Sequence, residues 1–119
     1  MKFTYTFDQL RDIEENRYLR YMNYKWSVEN YGQIDQNRYF TADYGVIEAN
    51  SAQAACEKLF TMYNSDAMPI GYTGRTMSVS DIVNLWDRDN EEAAKTSWYC
   101  DSIGFIKLEE PEEEDNERR

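Results

Sequence analysis

Residues 51–63, Ser51-Ala52-Gln53-Ala54-Ala55-Cys56-Glu57-Lys58-Leu59-Phe60-Thr61-Met62-Tyr63, decide the fold class. Asn50 or Ser51 supplies an N-cap oxygen. Ala52, Ala55, Cys56, Leu59, Phe60 and Tyr63 recur at three- and four-residue spacing, which gathers them on one apolar stripe of a helix. Outward from this helix the chain reads mostly as strand. Phe3-Thr4-Tyr5-Thr6-Phe7 alternates ring and hydroxyl and sets three rings on one face of a half-buried strand. Arg17 to Met22 and Arg38 to Ile47 are aromatic and β-branched enough to be strands, with a bulge or bend expected at Gly45. Ser27-Val28-Glu29-Asn30 between them fits a short helical turn.

Beyond Tyr63, Asn64-Ser65-Asp66 ends the helix, and a loop through Pro69, Gly71 and Gly74 follows. Ile82 to Trp86 and Ser97 to Cys100 read as the arms of a hairpin whose charged tip runs from Asp87 to Lys95. Gly104 to Leu108 is a last strand, entered by a turn at Asp101-Ser102. The expected fold is α+β: a mostly antiparallel sheet with one principal helix, about 51–63, packed on one face, a C-terminal β-hairpin and an acidic disordered tail.

A length of 119 residues favours one domain, assigned here to residues 1–108. Hydrophobic residues make up 41% of the chain, enough for a core despite a net charge of −10. Half of that charge belongs to residues 109–119, where seven acids and two arginines surround Pro111 with nothing apolar to bury. A net-negative chain disfavours general binding to nucleic acid, which depends on Lys and Arg displacing counterions from phosphate. The absence of histidine excludes imidazole-based triads and His-ligated metals. Cys56 and Cys100 lie far apart in apolar company and read as reduced, buried thiols. No apolar leader or spanning segment is evident, so a soluble, cytoplasmic protein is expected.

Three groups of residues are candidates for function. Ser78, Ser80 and Asp81, with Asp101 and Ser102, have the composition of a metal or acid/base pair centred on Asp81 and Asp101. No third ligand, general base or phosphate-binding loop accompanies them, so the expectation is that they satisfy backbone groups at turns, with no catalytic residue, metal or cofactor. Tyr18, Tyr21 and Tyr24 neighbour Arg17, Arg20 and Lys25 in a basic-aromatic patch suited to stacking bases or, as the charge balance favours, to a protein interface shared with Trp86. Asp87, Asp89, Glu91 and Glu92 on the hairpin tip form an acidic group that can imitate phosphates and occupy a DNA-binding channel on another protein.

The stretch Gly74-Arg75-Thr76-Met77-Ser78-Val79-Ser80-Asp81-Ile82-Val83-Asn84-Leu85, followed by Trp98-Tyr99-Cys100-Asp101-Ser102-Ile103-Gly104-Phe105, resembles the pattern of the YodL-like domain family. Weaker similarities at Gln9-Leu10, at 19–22 and at 59–64 extend the resemblance over nearly all of residues 5–108. The chain departs from that pattern by its acidic insertion at 87–95 and by its tail. The resemblance implies a domain of Firmicutes that is common on phages and other mobile genetic elements, with no defining catalytic residue to carry over. It places Gly74, Ser78, Ser80, Asp81, Asp101, Ser102, Gly104 and Phe105 among architectural positions. It also suggests an inhibitor of a host defence nuclease, of the anti-CRISPR or antirestriction type. The expected partner is a basic nucleic-acid-binding protein or nucleoprotein complex in the bacterial host cell, with neither nucleic acid nor membrane bound directly.

Overall fold

The computed structural model describes residues 1–66 and 68–109. The expected acidic tail, from residue 110 on, lies outside the described residues. The element order is β1 (Lys2–Leu10), α1 (Tyr24–Tyr31), β2 (Tyr39–Glu48), α2 (Ala52–Met62), β3 (Ile82–Asp87), β4 (Thr96–Cys100) and β5 (Phe105–Lys107). Short 3-10 turns occupy Glu14–Asn16 and Gln36–Arg38. All five strands join one antiparallel sheet in the order β2-β1-β3-β4-β5.

The alternation in β1 sorts the core into two layers. Phe3, Tyr5 and Phe7 share one face with Val83, Leu85, Trp98, Cys100 and Phe105, and α2 covers that face with Ala55, Cys56, Leu59 and Tyr63. Ser51 caps α2 by accepting from the Ala54 amide, as its hydroxyl at an extended residue allows. Phe60 departs from the expected stripe: it is 39% exposed and meets Phe105 edge-on at the margin. Both cysteines are free and buried, and burial pushes the Cys56 and Cys100 thiols well above their ordinary range.

The second face holds Leu10, Leu19, Tyr39, Ile82 and Tyr99, covered by the segment that carries α1. Here the structure corrects the sequence reading. Residues 17–21 are consecutive turns and Met22 is irregular, so the segment is not a strand. Leu19 is the buried anchor of these turns, while Tyr18 and Tyr21 are 61% and 56% exposed. Aromatic enrichment alone did not distinguish a strand from a turn that packs through one leucine. The helical turn expected at 27–30 is a two-turn helix begun earlier, by Asn23 accepting from the Trp26 amide.

β2 also differs in detail. Its register slips between Phe7 and Asp8, leaving Ala42 as the extra residue, so the bulge lies there and not at Gly45. Gly45 instead faces Tyr5, whose ring atoms would lie 3.1 Å from an added Cβ. That clearance lets the Tyr5 hydroxyl reach Tyr63, which donates in turn to Asp43 at 2.6 Å. β3 runs through the middle of the sheet and is buried on both faces over Ile82–Leu85, so its sequence reads as a continuous run without clean alternation.

Candidate functional site

The motif residues Ser78 to Asp81 and Asp101 to Phe105 meet where β3 begins and β4 ends. Backbone bonds join them directly: the Ser80 amide donates to the Cys100 carbonyl at 2.9 Å, and the Cys100 amide to the Asp81 carbonyl at 2.8 Å. Asp81 and Asp101 are thus brought together through the main chain, yet their carboxylates serve different partners. Asp81 Oδ2 accepts from the Ser78 amide and from Gln9 Nε2, closing the turn at 78–81 and tying it to β1. Burial raises this carboxyl to about 7, against the lowering effect of the Ser78 amide, Gln9 and Arg75. Asp101 Oδ1 accepts from the Tyr24 amide at 2.9 Å and so holds the first turn of α1.

Ser80 is engaged through both its backbone and its side chain. Its backbone sits at φ +87, its carbonyl accepts from the Tyr39 hydroxyl at 2.7 Å, and its Oγ accepts from the Tyr21 amide at 3.1 Å. Gly104, at φ +74, permits the tight turn in which the Asp101 amide donates to the Gly104 carbonyl. Phe105 is buried against α2, Ser102 is exposed, and Gly74 lies against the Tyr72 hydroxyl. The motif therefore fastens the 17–24 segment and α1 to the sheet.

A second polar group crosses the sheet beside it. Asn84 donates to Thr6 and to the buried Asp8, whose other oxygen accepts from Thr41. Ser97 donates to Asn84 and accepts from Gln36. Burial raises the Asp8 carboxyl, and the three hydroxyl and amide donors oppose that rise. Sequence reasoning missed this network; its only sequence signal was polar residues at positions of otherwise strand-like runs. Among the described residues no group of three His, Cys, Asp or Glu side chains is placed to hold a metal ion. A groove of about 600 Å³ lies between Tyr24, Ile34, Asn37 and Leu108, and its described lining residues place no nucleophile beside a base.

The hairpin tip is an ordered turn. Asp87 accepts from the Asp89 amide, Asp89 accepts from the Lys2 amide, and the side chain of Asn90 accepts from the Glu92 amide. Glu91 and Glu92 are exposed and hold none of these bonds through their carboxylates. Arg88 and Lys95 share the segment, so the tip mixes four carboxylates with two cations. At its root Trp86 is 38% exposed, with the Lys95 ammonium 6.0 Å above its ring. Trp86 lies on the part of the second sheet face that α1 leaves open, across Thr4 from Val46. Val46 and Tyr44 are 50% and 75% exposed there, and neither was singled out from sequence.

Tyr18 and Tyr21 lie elsewhere. Tyr21 is fixed to Ser80 at the start of β3, whereas Trp86 is near its end, roughly 20 Å along the strand at about 3.3 Å per residue. Arg17 stacks over the Tyr18 ring at 4.8 Å, and Arg75 donates to the Tyr21 hydroxyl at 3.1 Å. The structure thus separates the sequence-identified aromatics into two patches, each capped by a cation. Among the described residues no helix is long and apolar enough to cross a membrane.

A family model described as YodL-like domain matches residues 4–110. No curated protein and no solved structure matches the chain.

Proposed function

The chain belongs to the YodL-like domain family, and from that premise we propose that it is a non-enzymatic interaction protein of a phage or other mobile genetic element. It acts by binding a protein component of a host defence nuclease complex, of the CRISPR or restriction type, and inhibiting it. The observation that carries this reading is the division of labour among its polar groups. The Asp81 and Asp101 carboxylates, the chemically suggestive pair, are engaged in holding turns and α1. Among the side chains exposed to a partner are Trp86, Glu91 and Glu92 at the tip, with Tyr18 and Tyr21 at the other end of β3.

In this reading the tip enters a basic channel: Glu91 and Glu92 compete with nucleic acid for cations, and Trp86 provides buried contact area at the root. Adding the purified protein to the defence nucleases of its host while following DNA cleavage tests the proposal. Cleavage falls with added protein if the reading is right, and unchanged cleavage by every complex rejects it.

A second reading, an adaptor that grips a host protein through its aromatic surface without imitating DNA, is favoured by the exposure of Trp86, Tyr18 and Tyr21 and by the cations interspersed in the tip. The two separate by mutation. Glu91→Lys with Glu92→Lys abolishes a phosphate-mimicking contact, whereas an aromatic contact survives these changes and moderate salt and is lost in Trp86→Ala or Tyr21→Ala.

A further inference from the structure

We infer that the outer edge of β2 is an interface for a second copy of this chain, the two β2 strands pairing antiparallel about a two-fold axis through Gly45. β2 is ten residues long, lies at the edge of the sheet and pairs with β1 alone among the strands, while Lys58 of α2 donates to its Glu48 carbonyl at 2.8 Å. Every other residue of such a strand turns its amide and carbonyl away from the sheet, and edges of this kind are ordinarily blunted by charged residues, proline, bulges or a covering element. β2 contains no lysine or proline, and its blunting devices sit toward its ends, the bulge at Ala42 and Lys58 on the Glu48 carbonyl, with Tyr44–Val46 between them. Its one irregularity, at Ala42, leaves Asp43–Glu48 as regular strand in unbroken register with β1.

The residues of this stretch complement themselves. In a continuous sheet, opposed residues must share a face, so the strand's own alternation limits the two-fold to a residue position. Centring it on Gly45 sets Tyr44 opposite Val46 of the second copy, twice, and Asp43 opposite Ile47, twice. The exposed face thereby gains two aromatic–β-branched pairs, the cross-strand combination that stabilises sheets, and no two like charges oppose each other. Asp43 is already held by the Tyr63 hydroxyl.

Repulsion between two net-negative copies weakens as salt rises. A pairing of this length belongs near or below the low end of specific interfaces, roughly 1,200 Å², so the dimer dissociates on dilution.

Sedimentation of the full chain from roughly 1 to 100 µM tests the inference, with a mass rising from one to two copies expected across that range. Val46→Lys, at a half-exposed position that leaves the monomer's core intact, is expected to weaken association at least tenfold with an unchanged urea midpoint. An equimolar mixture of Tyr44→Cys and Val46→Cys chains is expected to cross-link on mild oxidation in preference to either alone, because only the mixed pair is directly opposed. A single-copy mass at every concentration overturns the inference. So does a dimer that withstands Val46→Lys and gives no preferred 44–46 cross-link.

Discussion

Tyr21 and Ser80 are the two non-glycine residues at positive φ among the described residues, and they are bonded to each other: the Tyr21 amide donates to Ser80 Oγ at 3.1 Å. Two left-handed backbones, fifty-nine residues apart, thus stabilise one seam. The seam is where the family motif meets the 17–24 segment, and it survives because Tyr39 and the Cys100 carbonyl hold Ser80 from its other sides. Strain of this kind persists only where the surroundings over-determine it.

The serine contributes an acceptor and suffers a backbone cost, and two variants separate these effects. Ser80→Ala keeps the strained backbone and strands the Tyr21 amide, which costs about 1–3 kcal/mol. Ser80→Gly loses the same bond but occupies φ +87 without a Cβ clash, recovering about 1 kcal/mol. Urea unfolding is expected to rank wild type above the glycine variant and glycine above alanine; a glycine variant less stable than the alanine one contradicts the account.

Asp101 accepts from the Tyr24 amide and so governs α1 from a distant part of the chain. Asp101→Ala is expected to cost about 1 kcal/mol and to raise amide exchange selectively in Tyr24–Tyr31. Exchange rising equally throughout the sheet would show that Asp101 supports the core and not the helix start.

Asp81 makes stability depend on pH in a fixed direction. Its folded carboxyl is raised to about 7, so between the ordinary carboxyl range and pH 7 the folded chain keeps a proton that the unfolded chain releases. The associated stability is fully present below about pH 4 and is lost as pH rises through 7. Asp8, raised by the same cause, adds in the same direction. Asp81→Asn keeps an oxygen for the Ser78 amide and removes the titration. The variant should therefore gain on wild type by a few kcal/mol as pH rises from about 4 to about 8, since a carboxyl that titrates one pH unit higher in the folded chain changes stability by about 1.4 kcal/mol. Parallel urea midpoints for the two proteins across that range would contradict this.

Gly45 is set by the Tyr5 ring above it. Gly45→Ala brings a methyl within 3.1 Å of that ring and is expected to cost about 1–3 kcal/mol by overpacking. Combining it with Tyr5→Leu should return part of the loss, since the smaller side chain vacates the contact. Equal losses in the presence and absence of the ring would remove Tyr5 as the reason for the glycine.

The sequence was most legible where one physical signal dominated. The 51–63 stripe and the ring–hydroxyl alternation of 3–7 each bury one face, and both elements lie where their periodicity places them. It was least legible at 17–22, where strand-like composition belongs to turns that bury a single leucine and hold Tyr21 at positive φ. Neither property leaves a periodic trace. The bulge at Ala42 was hidden for a related reason: the glycine expected to mark it is required instead by a ring on the neighbouring strand. At the candidate site, the turn-forming character of Ser78, Asp81 and Asp101 could be read locally, whereas their partners Gln9 and Tyr24 lie up to seventy-seven residues away and could be found only in the folded chain.

The central claim, that this YodL-like protein acts by binding a defence nuclease complex and not by binding nucleic acid, is tested most directly by calorimetric titration of the purified chain into that complex and into its DNA separately. Saturable binding to the complex, with no heat from DNA alone and a matching loss of the complex's affinity for DNA, is the predicted result. Binding to the DNA, or to neither, would contradict it.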